Sequence, residues 1–268
     1  MIWTSVVIGA VIGAVAAVLA FLGAGPAAGR GKRLGMLFAV IFLPLYGAAQ
    51  AFVVPHAQAR YTLWQVDREL AQNPAFAALK QYDGPTYRNV LTELGLLARE
   101  GKGKDEVARA VRGILEPLVI KRIAQASDEA AARYMKVMME EMKQLYSQGG
   151  DLCYRFLFPG KDTPGDLQKY ISAETRKEDM AALGDVLRSA AVGAQPPPLK
   201  SEVEPLLEPA VAAIAERYGR DLIMFQAPRA PGVDKSKVCE ITINLYGRIL
   251  RLPPDQSGKT IRYMLQSK

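Results

Sequence analysis

A single histidine, His56, serves a chain of 268 residues. That scarcity removes several chemistries at once. A zinc motif of the His-Glu-x-x-His type needs two imidazoles on one helix face. A Ser–His–Asp or Cys–His pair would have to assemble around His56. His56 stands where a long uncharged stretch ends, and it reads as an interfacial side chain. Cysteine is almost as rare, with Cys153 and Cys239 the whole complement. Two thiols cannot supply the four ligands of a structural zinc site. The expectation is therefore no metal site, no cofactor and no catalytic residue.

Carboxylates are missing from residues 1–54 altogether. A glycine-rich membrane hairpin that carries protons needs an acid inside the bilayer, so proton transport by this segment is excluded. A phosphate loop is missing too. The stretch GAGPAAGRGKRLG, residues 23–35, has glycines and a Gly31-Lys32 pair, but Arg33 stands where Ser or Thr must reach Mg²⁺. Pro26, five residues before Gly31, has no N–H to offer a phosphate. These glycines serve a turn.

The turn joins two long apolar runs. Ile2–Ala24 is 23 residues without a charge, and Leu34–Val54 is another 21. As a helix the first would span roughly 34 Å, against a hydrocarbon core of about 30 Å. The reading is a transmembrane hairpin over residues 1–55, with helices about 2–24 and 34–54 and a basic turn, 25–33, holding Arg30, Lys32 and Arg33. A cleaved signal peptide is disfavoured, because no basic residue precedes the apolar run. In the first helix Ser5, Gly9, Gly13 and Ala17 recur every four residues, which makes a flat packing face. The second helix fills that face in one reading; in the other, Gly9 and Gly13 form a homodimer contact. The three charges of the turn, against Arg60 and Arg68 beyond the second helix, place the turn in the cytoplasm and both termini outside. The alanine-rich composition points to a bacterial chain. The expected location is the inner membrane, two-pass, with the soluble part periplasmic.

Three of the seven surplus positive charges sit in the turn, which leaves the remainder near +4 without a dense basic stripe. A nucleic-acid partner is not expected. Residues 56–268 read as an all-α domain, with a division at the proline-rich spacer 193–200. SDEAAARYMKVMMEEMKQLYSQGG is the clearest helix: Ser127 caps it, acids follow, and Gly149-Gly150 ends it. KDEVARAVRGILEPLVIKRIAQA is a helix with a kink expected at Pro117. SEVEPLLEPAVAAIAERYG opens on a capping box, Ser201 with Glu204. The one strand candidate is DLIMF, residues 221–225.

Three features carry alternatives. Met135, Met138, Met139 and Met142 lie on one helix side, as core or as a soft binding face. LCYRFLFP, residues 152–159, is either a buried segment or an exposed apolar lip. Cys153 and Cys239 either pair, which closes a long loop and adds about 4 kcal/mol in the chain-entropy estimate, or stay as buried thiols. Among the acids, adjacent Glu140 and Glu141 point in different directions on a helix. Glu174 and Glu178 share a face with Arg176 and Lys177 among them, the pattern of a solvated surface.

Two function classes follow. The first is a membrane-anchored binding or scaffold protein of the bacterial envelope, an adaptor or immunity-type protein, whose partners are the lipid bilayer and other envelope proteins. The second is a membrane-tethered hydrolase that uses paired carboxylates on an envelope glycan or lipid.

Overall fold

The computed structural model describes residues 42–44, 63–160, 163 and 167–266. The chain divides into two compact units, residues 1–68 and 69–268. The first unit is described at 42–44 and 63–68, both helical. Within it the ring of Trp64 is largely exposed, and the Arg68 guanidinium lies 5.7 Å from its centroid. The expected hairpin, with Gly9, Gly13 and the turn residues Arg30, Lys32 and Arg33, falls outside the described residues, apart from 42–44. So does His56. Among the described residues no helix is long and apolar enough to cross a membrane.

The second unit is all helical among its described residues, in line with the periodicity. Helix α1, Pro74–Tyr82, starts where the Asn73 side chain accepts from the backbone N–H groups of Ala75 and Phe76. Pro74 follows at a position whose N–H a helix does not need. The periodicity of the sequence predicts no helix at these residues. Helix α2, Gly84–Arg99, is capped by Asp83, which accepts from Thr86 N–H at 3.2 Å. Helix α3, Lys104–Gln125, runs on through Pro117 as one element.

Helix α4, Asp128–Gln148, begins as the sequence predicts: the Ser127 hydroxyl accepts from Ala130 N–H, and Asp128 and Glu129 face the positive end of the helix dipole. Gly149, at φ 155°, stops it, and α5, Gly150–Leu157, follows at once. After a 3-10 turn at Leu167–Tyr170 come α6, Ala173–Val192, and α7, Lys200–Tyr218. Helix α8, Lys235–Ile249, and α9, Pro254–Gln266, complete the unit.

Two local expectations are corrected. Residues 221–225 are not a strand; they lie in a 3-10 helix, Gly219–Phe225. Gly219, at φ 49°, turns the chain out of α7 and into that tighter coil. The capping box at Ser201 and Glu204 is displaced as well. The helix starts at Lys200, and Glu202 reaches back to accept from Leu199 N–H at 3.0 Å. Leu199 has no side-chain acceptor, so only this half of the motif exists.

Helix α4 is central and packs against α9, α6, α5 and α8. Its N-terminal turn is thin, with Ala130, Ala131 and Ala132 all buried. That lets α9 approach closely enough for a β-carbon at Gly258 to overlap the carbonyl oxygen of Asp128. Leu145 and Ile261 are fully buried; burial of side chains this size contributes about 1.5–3 kcal/mol each.

Arg262, 3% exposed, ties three segments to α9. Its Nε donates to the Ala124 carbonyl at the end of α3, and its Nη1 meets Asp128 Oδ1 at 2.7 Å. Its Nη2 donates to the Pro196 carbonyl in the spacer. That spacer is further stitched down by Gln195 N–H to the Gln125 carbonyl and by Gln266 to the Pro198 carbonyl. A second buried cluster joins Met142 and Leu145 to Leu167, Ile171 and the two cysteines. Cys153 on α5 and Cys239 on α8 are joined in a disulfide, their α-carbons 6.1 Å apart.

Candidate functional site

The sequence of α3 places Arg112, Leu115, Val119 and Ile123 at helical spacing on one side. In the fold that side forms one wall of an apolar groove of about 360 Å³. Ile120 and Glu116 complete the wall. Tyr134, Met135 and Met138 of α4 make the floor, Phe156 and Leu157 of α5 with Pro159 the opposite side, and Leu265 of α9 closes one end. Arg112 and Glu116 are the charged residues of the lining.

Burial divides the two apolar stretches residue by residue. Met142 is core and Met135 is nearly so, while Met138 is half-buried against the groove. Of LCYRFLFP, Cys153 and Tyr154 are buried, and Phe156, Leu157 and Pro159 turn to the groove. The same stretch is thus core on one helix side and lip on the other.

Next to the floor lies a pair of acids that local spacing does not reveal. Glu141 on α4 is 2% exposed and Asp179 on α6 is 8% exposed. Glu141 Oε1 and Asp179 Oδ1 have no hydrogen-bond partner among the described residues. Burial first, and then the charge of Asp179, raise the Glu141 carboxyl well above its ordinary range, to about 8. Burial likewise raises Asp179. Burial raises the Tyr134 phenol, and both carboxylates push it in the same direction. Tyr134 therefore borders the groove on one side and feels the acid pair on the other. Neither acid lines the groove.

The other acids singled out in the sequence are surface groups. Glu140 is exposed and pairs with Lys143 at 3.6 Å. Glu178 is exposed and pairs with Arg133 at 3.0 Å, and Arg133 also pairs with Asp185. Arg133, Asp185 and Arg188 line a shallower depression between α4 and α6, where both arginines pair with Asp185. A legible signal for the buried acids existed: Glu141 interrupts the stripe Met138–Met142–Leu145, and Asp179 interrupts the stripe Thr175–Ala182–Leu183–Val186.

The raised acid has a consequence for stability. A carboxyl whose folded value lies above its unfolded one makes the folded state bind more protons between the two. The stabilising proton is fully present below about 4.5, the ordinary glutamate value, and is lost as pH rises through about 8. Stability is thus expected to fall across that window. Glu141→Gln removes the Glu141 titration and leaves that of Asp179, so its melting temperature should fall less than the parent's between pH 5 and pH 9. Thermal melts at pH 5, 7 and 9 test this; parallel curves for the two proteins would refute it.

A comparison of the chain with protein families, with curated proteins and with solved structures finds no match.

Proposed function

We propose that the protein is a membrane-anchored helical binding protein, of the adaptor or immunity type, that holds an apolar partner in the groove between α3, α4, α5 and α9. The groove carries the reading. Ligand sites are concave, mostly apolar and about 300–1,000 Å³ in size, with few polar groups to fix orientation, and this one fits each requirement. The anchor in the reading is the hairpin of residues 2–24 and 34–54 around the basic turn, in the inner membrane of a bacterial envelope with the helical unit in the periplasm. No catalysis is part of it.

Glu141 and Asp179 are the observation that favours the second reading, a membrane-tethered hydrolase, because raised carboxyls mark general acids. Their burial weighs against it: a general acid must come within hydrogen-bond reach of the bond it cleaves, and these two stand behind the groove rather than in it.

One pair of variants separates the readings. Ile120 lines the groove and is half-exposed. A charge there, Ile120→Glu, should weaken partner binding by more than about 2 kcal/mol, roughly thirtyfold, as at other apolar anchors. The phenotype left by deleting the gene should then persist with Ile120→Glu and be rescued by Glu141→Gln, with melting temperature checked for both. Rescue by Ile120→Glu and failure by a folded Glu141→Gln would replace the binding protein with the hydrolase.

A further inference from the structure

Helices α4 and α6 run antiparallel along their contact, and the bonds between them fix the register. Near the start of α4, Arg133 meets Glu178 and Asp185. Near its end, Gln144 Nε2 donates to the Thr175 hydroxyl at 2.8 Å, and Gln144 Oε1 accepts from Ser172 N–H at 2.8 Å. Glu141 lies one turn before Gln144, and Asp179 lies one turn after Thr175. The register therefore sets the two buried carboxyls across the seam from one another. Each has one oxygen without a hydrogen-bond partner among the described residues.

Two facing carboxylates out of water cannot both stay ionised, because burial penalises each charge and the charges repel. A cation would resolve this, but those of the surrounding elements are engaged elsewhere. On α4, Arg133 is turned outward to its two acids; on α6, Arg176 donates to the carbonyls of Gln168 and Ile171. Helix α1 packs on α6, and its Lys80 sits over the Tyr87 ring. Helix α3 packs on both, and its Arg122 pairs with Asp83. Lys169 of the 3-10 turn lies over the Tyr170 ring. Arg155 of α5 pairs with Asp151, and Arg262 of α9 with Asp128. Tyr134 on α4 and Tyr246 on α8 are phenols that burial keeps protonated. None of these groups lowers either carboxyl.

From this geometry we infer that Glu141 and Asp179 hold one proton between their unpartnered oxygens and act as a proton-operated latch on the α4–α6 seam. While the proton is held, the carboxyl O–H donates to the carboxylate across the seam, and the pair titrates as one unit. When the proton passes to water, two buried like charges remain and the helices part. The inference goes beyond the binding reading and does not rest on it.

What holds the other helices decides where the opening occurs. Helices α5 and α8, which also pack on α4, are joined by the Cys153–Cys239 disulfide. No disulfide holds α6. Its ties to α4 are the apolar seam with Ala182 and Val186, the Gln144 bonds and the exposed Arg133 pairs, and exposed pairs contribute little. Helix α1 should leave with α6, for the two are so close that a β-carbon at Gly184 would lie 2.9 Å from the Pro74 carbonyl oxygen.

The test is amide hydrogen exchange of the full chain in nanodiscs at pH 6 and pH 9, with each rate compared with the intrinsic rate at that pH. Protection of residues 175–186 should fall at least tenfold between the two, and that of Pro74–Tyr82 should fall with it. Protection of α8 should change less than threefold. In the Glu141→Gln, Asp179→Asn double variant the fall should vanish. In Glu141→Gln alone it should be smaller than in the parent, and this variant serves if the double one does not fold. Protection of α6 that is flat with pH in the parent overturns the latch. So does an equal fall in α6 and α8, since the pair would then act only on the unit as a whole. A fall in α6 that survives the substitutions undiminished places the proton on another group and overturns it too.

Discussion

Arg262→Met is expected to lower stability by about 3 kcal/mol, at the near end of what removal of one member of a buried ion pair costs. The side chain is 3% exposed, and methionine keeps most of its volume, so the loss is electrostatic rather than a cavity. What remains behind is the Asp128 carboxylate with the carbonyls of Ala124 and Pro196, all of which lose a charged donor. Asp128 keeps some access to water and sits in the first turn of α4, where the helix dipole still favours it. That tempers the penalty. For a unit of this size, 3 kcal/mol corresponds to about 6–12 °C in melting temperature. Arg262→Lys should recover little, because an ammonium on a flexible stem cannot address a carboxylate and two carbonyls with the geometry of a fork. Thermal unfolding of the three proteins decides it. A loss below about 1 kcal/mol for Arg262→Met would mean that the spacer and the start of α4 are held by apolar contacts alone.

The role of Arg262 could not be read from the sequence, and the reason is general. Two of its three acceptors are backbone carbonyls, which every residue carries and no residue type announces. The ends of α4 were legible because their chemistry is local: Ser127, Asp128, Glu129 and Gly149 act on groups within one turn. The start of α7 misled for the same reason, since Ser201 matched a local motif two residues too late. Helix α1 went unseen because nine residues hold too little periodicity, although Asn73-Pro74 was a fair signal. The groove lies between these cases. Its floor appeared as an ambiguous methionine stripe, and its lip as an ambiguous aromatic stretch. Each ambiguity disappears once α3 and α5 are placed on either side of α4, a matter of tertiary packing. The Glu141–Asp179 pair needs the same step, for the two residues lie on different helices and meet only when α4 packs on α6.

Cys153→Ala with Cys239→Ala is expected to cost about 4 kcal/mol, the largest effect among the substitutions considered. The cross-link closes a loop of 86 residues, and the entropy it removes from the unfolded chain grows with the logarithm of that length. Both cysteines are 0% exposed, so the native disulfide is shielded from reductants. The intact protein should therefore keep its cross-link in dithiothreitol and lose it once urea opens the fold. The double variant should unfold at lower urea, with a similar or larger slope because its unfolded chain is less compact. Local consequences should follow as well. Helix α5 is eight residues long, too short to persist by its own hydrogen bonds, and it supplies Phe156 and Leu157 to the groove. Cys153 is its covalent tie to α8. Amide hydrogen exchange in the double variant should rise first at Gly150–Leu157, ahead of α4 and α9. Uniform acceleration across the unit would show instead that the disulfide acts only through the unfolded chain and that α5 is held by packing alone.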